Sequence, residues 1–184
     1  LVRHVPRDGD CCFAAFAQGY WKISGEREKL TVRDLRKQVA DYLLSSKGQV
    51  PGLMYAQFEE LADGRIMSMS CASLQAFRNK TLAPMTLEEY AKKVAKDMYG
   101  GDLEIVVLAH LFKVQVHVYT WQFYNGSNIF APQTFGDVVA TGHVRMLWEQ
   151  NFDSVKGGGD HYDAVYTDYF LQWRHYMVTM PKWN

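Results

Sequence analysis

The sequence predicts an α+β fold, a central mixed β-sheet flanked by helices. Three observations lead there. Helical spacing of apolar residues dominates up to about residue 112, strict alternation takes over from Lys113, and one short apolar stretch, "LVRHV", precedes everything else. Neither an internal repeat nor a low-complexity linker interrupts the 184 residues, so residues 1–184 are expected to form a single domain.

Taken in order, "LVRHV" reads as a strand ended by Pro6, and Asp8-Gly9-Asp10 reads as a turn. A helix follows from about Cys11 to Trp21. The next opens at Thr31, an N-cap with Asp34 three residues on, and carries Leu35, Val39, Tyr42 and Leu43 on one face. Gly48 and Pro51 break it, and "LMYAQFEELADGR" and "SCASLQAFRNK" are expected to be shorter helices. A Thr86–Glu89 capping box opens "TLEEYAKKVAKDMYGG", which should close at Gly100-Gly101. Asp102 is then expected to cap "LEIVVLAHLF". "VQVHVYTW" sets Val114, Val116 and Val118 on one face of a strand, with Gln115, His117 and Tyr119 on the other. Residues 125–142 read as a loop, and "HVRMLWE", "HYDAVYTDY" and "HYMVTM" as three more strands.

Composition narrows the function. Lys plus Arg equals Asp plus Glu, 20 of each, so no basic footprint for nucleic acid is present. The longest apolar run is interrupted by Glu104 and His110, and a membrane partner is not expected. The lack of an initiator Met and of a signal peptide suggests a domain cut from a longer protein. Three cysteines (11, 12 and 71) without a C-x-x-C pair make a disulfide framework or a structural zinc site an unsuitable reading. They point to a reducing compartment, cytoplasmic or nuclear-cytoplasmic, or the host cytosol if the protein is a secreted effector. No cofactor is expected, and the chain is expected to be a monomer.

The chemistry concentrates at the adjacent Cys11 and Cys12. A cysteine in the first turn of a helix meets unpaired N–H groups and the helix dipole, both of which favour a thiolate. Such a nucleophile needs a base, and the base needs an orienting group. Of the six histidines, His110 lies in the apolar helix, while His117, His143 and His175 lie in strands without a carboxylate two residues away. His4 is near the cysteines in sequence, but a strand and a turn intervene. His161 differs, because alternation in "HYDAVY" sets Asp163 on its own face and Tyr162 on the other. Taken by itself this pattern also suits an exposed histidine at a strand end.

"DGDCCFAA" resembles the D-G-[DN]-C signature of the OTU (ovarian tumour) cysteine proteases, "YGGDLEIVVLAHLFKVQVHVY" their W-G-G-x-x-E block, and "HYDAVY" their H-Y-[DN] block. "LRKQVADYL" and "EEYAKKVAKDMYGG" are similar to the helices that lie between, and the resemblance runs from about residue 7 to 167. Cys12 stands where the family usually has an apolar residue, and Tyr99 where Trp is usual.

The resemblance implies a papain-like OTU fold and a deubiquitinase that cleaves after the C-terminal Gly-Gly of ubiquitin. It implies Cys11 as nucleophile, His161 as general base and then acid, and Asp163 as the group that orients His161. Cys12 is then a small buried hydrophobe. Backbone amides of Asp8, Gly9, Asp10 and Cys11 are expected at the oxyanion. Asp8 is foremost a turn-former, with support of the catalytic loop as its second role. Tyr162 is either a wall of the channel for the substrate tail or a core aromatic. Glu59, Glu60 and Asp160 are candidates for the basic tail, although such charges more often form a solvated face. Glu104 reads as structural, at a helix start. Ubiquitin or polyubiquitin is the implied partner. The alternatives are a peptidase for another ubiquitin-like modifier, a silent ubiquitin-binding module, and a papain-like peptidase for unmodified proteins. The intact Cys11, His161 and Asp163 argue against the second, and the D-G-D-C turn against the third.

Overall fold

The computed structural model describes residues 1–25, 27, 29–47, 58–60, 66–68, 86–124, 127–137, 139–149 and 161–166. The elements run β1 (Val2–Arg3), α1 (Cys11–Ile23), α2 (Val32–Ser45), β2 (Phe58–Glu60), β3 (Ile66–Ser68), α3 (Leu87–Lys96), α4 (Asp102–Phe112), β4 (Gln115–Tyr124), β5 (Ser127–Phe135), β6 (His143–Glu149) and β7 (His161–Val165). The main sheet has the order β1-β7-β6-β4-β5, with β4 and β6 parallel and the other neighbours antiparallel, so the expected mixed sheet is present.

The predicted caps account for two of the four described helix starts. Thr31 Oγ1 accepts from Asp34 N–H at 3.1 Å, and Thr86 and Glu89 form a reciprocal capping box. Two helix boundaries differ from expectation. The third helix ends at Lys96, before Gly100-Gly101, and α4 is capped at Gly101 and not at Asp102. There Glu104 Oε2 reaches back to the Gly101 N–H at 2.8 Å while Oε1 takes the Tyr90 hydroxyl at 2.6 Å. Burial pushes the Glu104 carboxyl up despite these bonds, which fits its structural reading.

Two other expectations are corrected. Within 53–65, expected to be a helix, Phe58–Glu60 is a strand paired with Ile66–Ser68, and the sequence between them holds the turn dipeptide Asp63-Gly64. Within 125–142, expected to be a loop, Ser127–Phe135 pairs antiparallel with β4 from Val116↔Phe135 to Tyr124↔Ser127. Asn125-Gly126 is a strong hairpin signal there, and Pro132 is tolerated because β5 is an edge strand. The expected helix at 70–80 and the expected strand at 175–180 lie outside the described residues.

The core lies between the sheet and the helices. Phe13 and Phe16 of α1, Leu35, Val39 and Leu43 of α2, Leu103 and Leu108 of α4, and Val116, Val144 and Met146 of the sheet are all fully buried. Each such side chain contributes about 1.5–3 kcal/mol on leaving water. The alternation read here holds from Val114 to Val118, with Val114, Val116 and Val118 buried and Gln115 and His117 less so, but Tyr119 on the opposite face is buried as well. Close approach of α1 to β6 is possible because position 19 is glycine: a Cβ there would lie 2.8 Å from Val144 Cγ1. No helix among the described residues is long and apolar enough to cross a membrane.

Gly136 has a φ of +95°, and a Cβ on it would lie 2.5 Å from the Val114 carbonyl oxygen, an atom held in the backbone. Gly136→Ala should therefore lower stability by about 1–3 kcal/mol, read as a drop in melting temperature. An unchanged melting temperature would show that the turn after β5 tolerates another path.

Candidate active site

The turn before α1 is built by its own groups. Asp8 Oδ1 accepts from the Asp10 N–H at 2.9 Å, the Asp8 N–H donates to the Pro6 carbonyl at 3.0 Å, and the Cys11 N–H reaches the Asp8 carbonyl at 3.3 Å. Asp8 is exposed, in keeping with a turn-former. The expectation that every amide of this turn stands ready for an oxyanion is corrected by these bonds. Gly9 N–H has no acceptor among the described residues, whereas the Asp8, Asp10 and Cys11 N–H groups each donate within the turn.

Asp10 occupies the N-cap position of α1 without a side-chain cap. Its Oδ1 instead receives Nε and Nη2 of Arg36 at 2.8 and 2.6 Å. The same guanidinium donates from Nη2 to the Gly9 carbonyl at 2.7 Å and from Nη1 to the Val94 and Met98 carbonyls at 2.8 Å each. It lies 4.5 Å above the Phe13 ring, with a side chain only 3% exposed. A planar fork of donors suits this arrangement, in which one buried cation ties the turn to α2 and to the end of α3. Sequence reasoning missed Arg36. Its signal was a charged residue on the apolar stripe of α2, three residues before Val39 and seven before Leu43.

Cys11 and Cys12 are both buried. Burial pushes the Cys11 thiol up, backbone hydrogen bonds from Tyr162 and Cys12 pull it down, and the Asp8 and Asp163 charges push it up again, leaving it raised. The helix start thus supplies one of these bonds, from Cys12, and β7 the other, and burial outweighs both. Cys12 is enclosed completely, and a Cβ at Gly100 would lie 2.9 Å from its Sγ. Burial, with Glu104 adding to it, pushes its thiol well up. It is packing.

Across from Cys11 lies β7, every residue of which is buried. His161 Nε2 lies 3.0 Å from Asp163 Oδ1, so alternation does set the two on one face. An ionised carboxylate only accepts, so Nε2 carries a hydrogen, and in the neutral ring Nδ1 is then the nitrogen with the lone pair. That Nδ1 is buried and has no hydrogen-bond partner among the described residues. Tyr162 faces the other way, 6% exposed and stacked with Trp148 at 6.5 Å between centroids, as a core aromatic.

Asp163 collects donors from the other end of the chain. Val5 N–H donates to Oδ1 at 2.9 Å and His4 Nδ1 to Oδ2 at 2.7 Å. Burial alone would push this carboxyl up; the bonds from Val5, His4 and His161 outweigh it and hold it below the usual carboxylate range. His4 was another residue that sequence reasoning set aside. The pairing Val2↔Val165 and Arg3↔Ala164 brings it opposite Asp163, which only the register reveals.

The other candidates are not part of this group. His117 and His143 bond each other at 3.0 Å across β4 and β6, and His110 is exposed beside Tyr42. His175, Cys71 and Asp160 lie outside the described residues, and Glu59 and Glu60 lie on β2. Among the described residues, no group of three or more His, Cys, Asp or Glu side chains could hold a metal ion. The arrangement can activate a thiol: a sulfur among backbone donors and an imidazole whose far nitrogen is fixed by a carboxylate.

The family model for OTU-like cysteine proteases matches residues 6–162, and the chain belongs to that family. Among curated proteins none matches the sequence. Solved structures share the fold at low identity. An OTU deubiquitinase from Wolbachia pipientis bound to ubiquitin is 16% identical with a TM-score of 0.56, over 89% of this chain and 93% of that one. The OTU domain of OTUD1 is 17% identical with a TM-score of 0.54, over 90% and 85%. The Hazara virus OTU bound to ubiquitin is 15% identical with a TM-score of 0.51, over 91% and 82%.

Arg36→Met should cost about 3–5 kcal/mol in a urea titration, because the Asp10 carboxylate and three carbonyls lose their donor together. A loss below about 1 kcal/mol would mean that solvent replaces the guanidinium. At neutral pH, iodoacetamide should modify Cys11 slowly, at a rate that climbs with pH as the raised thiol ionises, and should leave Cys12 untouched in the folded protein. Peptide mass mapping reads both, and equal labelling of Cys12 would contradict its enclosure.

Proposed function

We propose that this OTU-family chain is a thiol-dependent deubiquitinase, one catalytic domain that hydrolyses the isopeptide bond after the C-terminal glycine of ubiquitin. The observation that carries the reading is the buried His161–Asp163 pair on a strand whose Tyr162 backbone bonds the thiol of Cys11, the first residue of α1. Two of the three solved structures named above are, by their descriptions, bound to ubiquitin, which supports ubiquitin or polyubiquitin as the partner.

In this reading His161 Nδ1 takes the Cys11 proton while Nε2–H stays on Asp163. The sulfur adds to the glycine carbonyl, and the negative charge on its oxygen is met by the amides of Gly9 and Cys11. Collapse of the tetrahedral adduct breaks the C–N bond, and the imidazolium gives its proton to the departing lysine amine. Water, deprotonated by the same nitrogen, then hydrolyses the thioester and returns the thiol. Asp10 serves by holding the turn through Arg36, Asp8 by folding it, and Tyr162 through its backbone at the sulfur.

A ubiquitin probe with a thiol-reactive C-terminus tests this by intact mass. Wild type and Cys12→Ala should each gain one adduct, and Cys11→Ala none. Reaction only with a probe built on another modifier would keep the peptidase and replace the substrate. Silence with every probe would reject the enzyme reading. An adduct lost in Cys12→Ala but kept in Cys11→Ala would move the nucleophile by one residue.

A further inference from the structure

The Asp163 carboxylate is wholly buried, yet its two oxygens are used unequally. Oδ1 is shared by His161 Nε2 at 3.0 Å and the Val5 N–H at 2.9 Å, whereas Oδ2 faces His4 Nδ1 at 2.7 Å, the shortest of the three. The His4 side chain is 79% exposed while that of Asp163 is 0% exposed, so a solvent-facing imidazole reaches in to close the buried end of the group.

We propose that His4 is a positioning residue for the reaction: its Nδ1–H fixes the plane of the Asp163 carboxylate and so holds His161 in the tautomer that leaves Nδ1 for Cys11. The inference rests on the Cys11–His161–Asp163 reading above. A carboxylate held at Oδ1 alone can rotate about its terminal torsion, a broad and shallow one. Rotation carries Oδ1 away from His161 Nε2 and leaves Oδ2 as a buried acceptor without a donor. A donor on Oδ2 removes that freedom. Because the ionised carboxylate can only accept, His4 must carry a hydrogen on Nδ1 whether its ring is neutral or charged. The clamp therefore needs a donor at the Nδ1 position and does not need a charge.

That distinction sets the variants. An asparagine amide nitrogen can occupy the place of Nδ1, one bond beyond Cγ, whereas a glutamine amide lies one carbon further out. With a fluorogenic amide on the ubiquitin C-terminus, His4→Ala and His4→Gln should each lower kcat about tenfold with KM unchanged, the effect of losing one hydrogen bond. His4→Asn should restore most of the rate. In parallel, the 15N shifts of His161, measured without substrate, should report the Nε2–H tautomer in wild type and His4→Asn and a mixture in the other two. Thermal melts establish that each variant is folded, and if His4→Ala is not, the Asn and Gln pair decides. A wild-type kcat in His4→Gln, or a His4→Asn as slow as His4→Gln, would overturn the proposal. If wild type does not cleave the ubiquitin amide at all, the substrate reading fails, and the tautomer measurement alone still decides the role of His4.

Discussion

The antiparallel pairing of β1 with β7 is the contact on which the site depends. It is only two residue pairs long, Val2↔Val165 and Arg3↔Ala164, yet it joins segments more than 150 positions apart. Closing so long a loop is entropically unfavourable, although the dependence on length is weak. Core burial of Val5, Tyr162 and Ala164 offsets it, and polar bonds fix the register: the Val5 N–H and the His4 ring both end on Asp163, next to a strand buried on both faces. The bonds that hold β1 in place are thus the bonds that define the environment of the proposed base. Disturbing one disturbs the other.

A second set of restraints holds the turn from its opposite side. Arg36 gathers the Gly9 carbonyl, the Asp10 carboxylate and the end of α3. Arg7 reaches Glu149, which pairs in register with His161, but this pair is exposed and contributes little. The result is a rigid seat for Cys11 between α2 and β7. Rigidity there is useful, because a nucleophile gains most when its partners are placed before the substrate arrives.

Much of this was legible in the sequence, for identifiable reasons. Caps at Thr31 and Thr86 and the alternation at Val114, Val116 and Val118 are local patterns, and local patterns survive folding. The Asn125-Gly126 dipeptide was an equally local signal, but the Gly, Asn and Pro residues of 125–142 read together as a loop. His161 and Asp163 were readable because strand periodicity alone sets them together. His4 and Arg36 were not, since their partners are fixed by register and helix packing across 159 and 26 positions. A sequence shows which residues share a face; which faces meet is decided by the tertiary structure.

The span between the two halves of the site also has a consequence in time. Cys11 leaves the ribosome 150 residues before His161, so at common elongation rates roughly 8–30 s separate the thiol from its proposed base. Throughout that interval the nascent chain carries a sulfur with no imidazole of β7 beside it, and the turn before it has its own bonds and, once α2 is made, Arg36 to brace it. On the proposed mechanism, hydrolysis cannot precede completion of the sheet, because β7 carries the imidazole. The order of synthesis would then keep an unfinished chain silent until its last strand is in place.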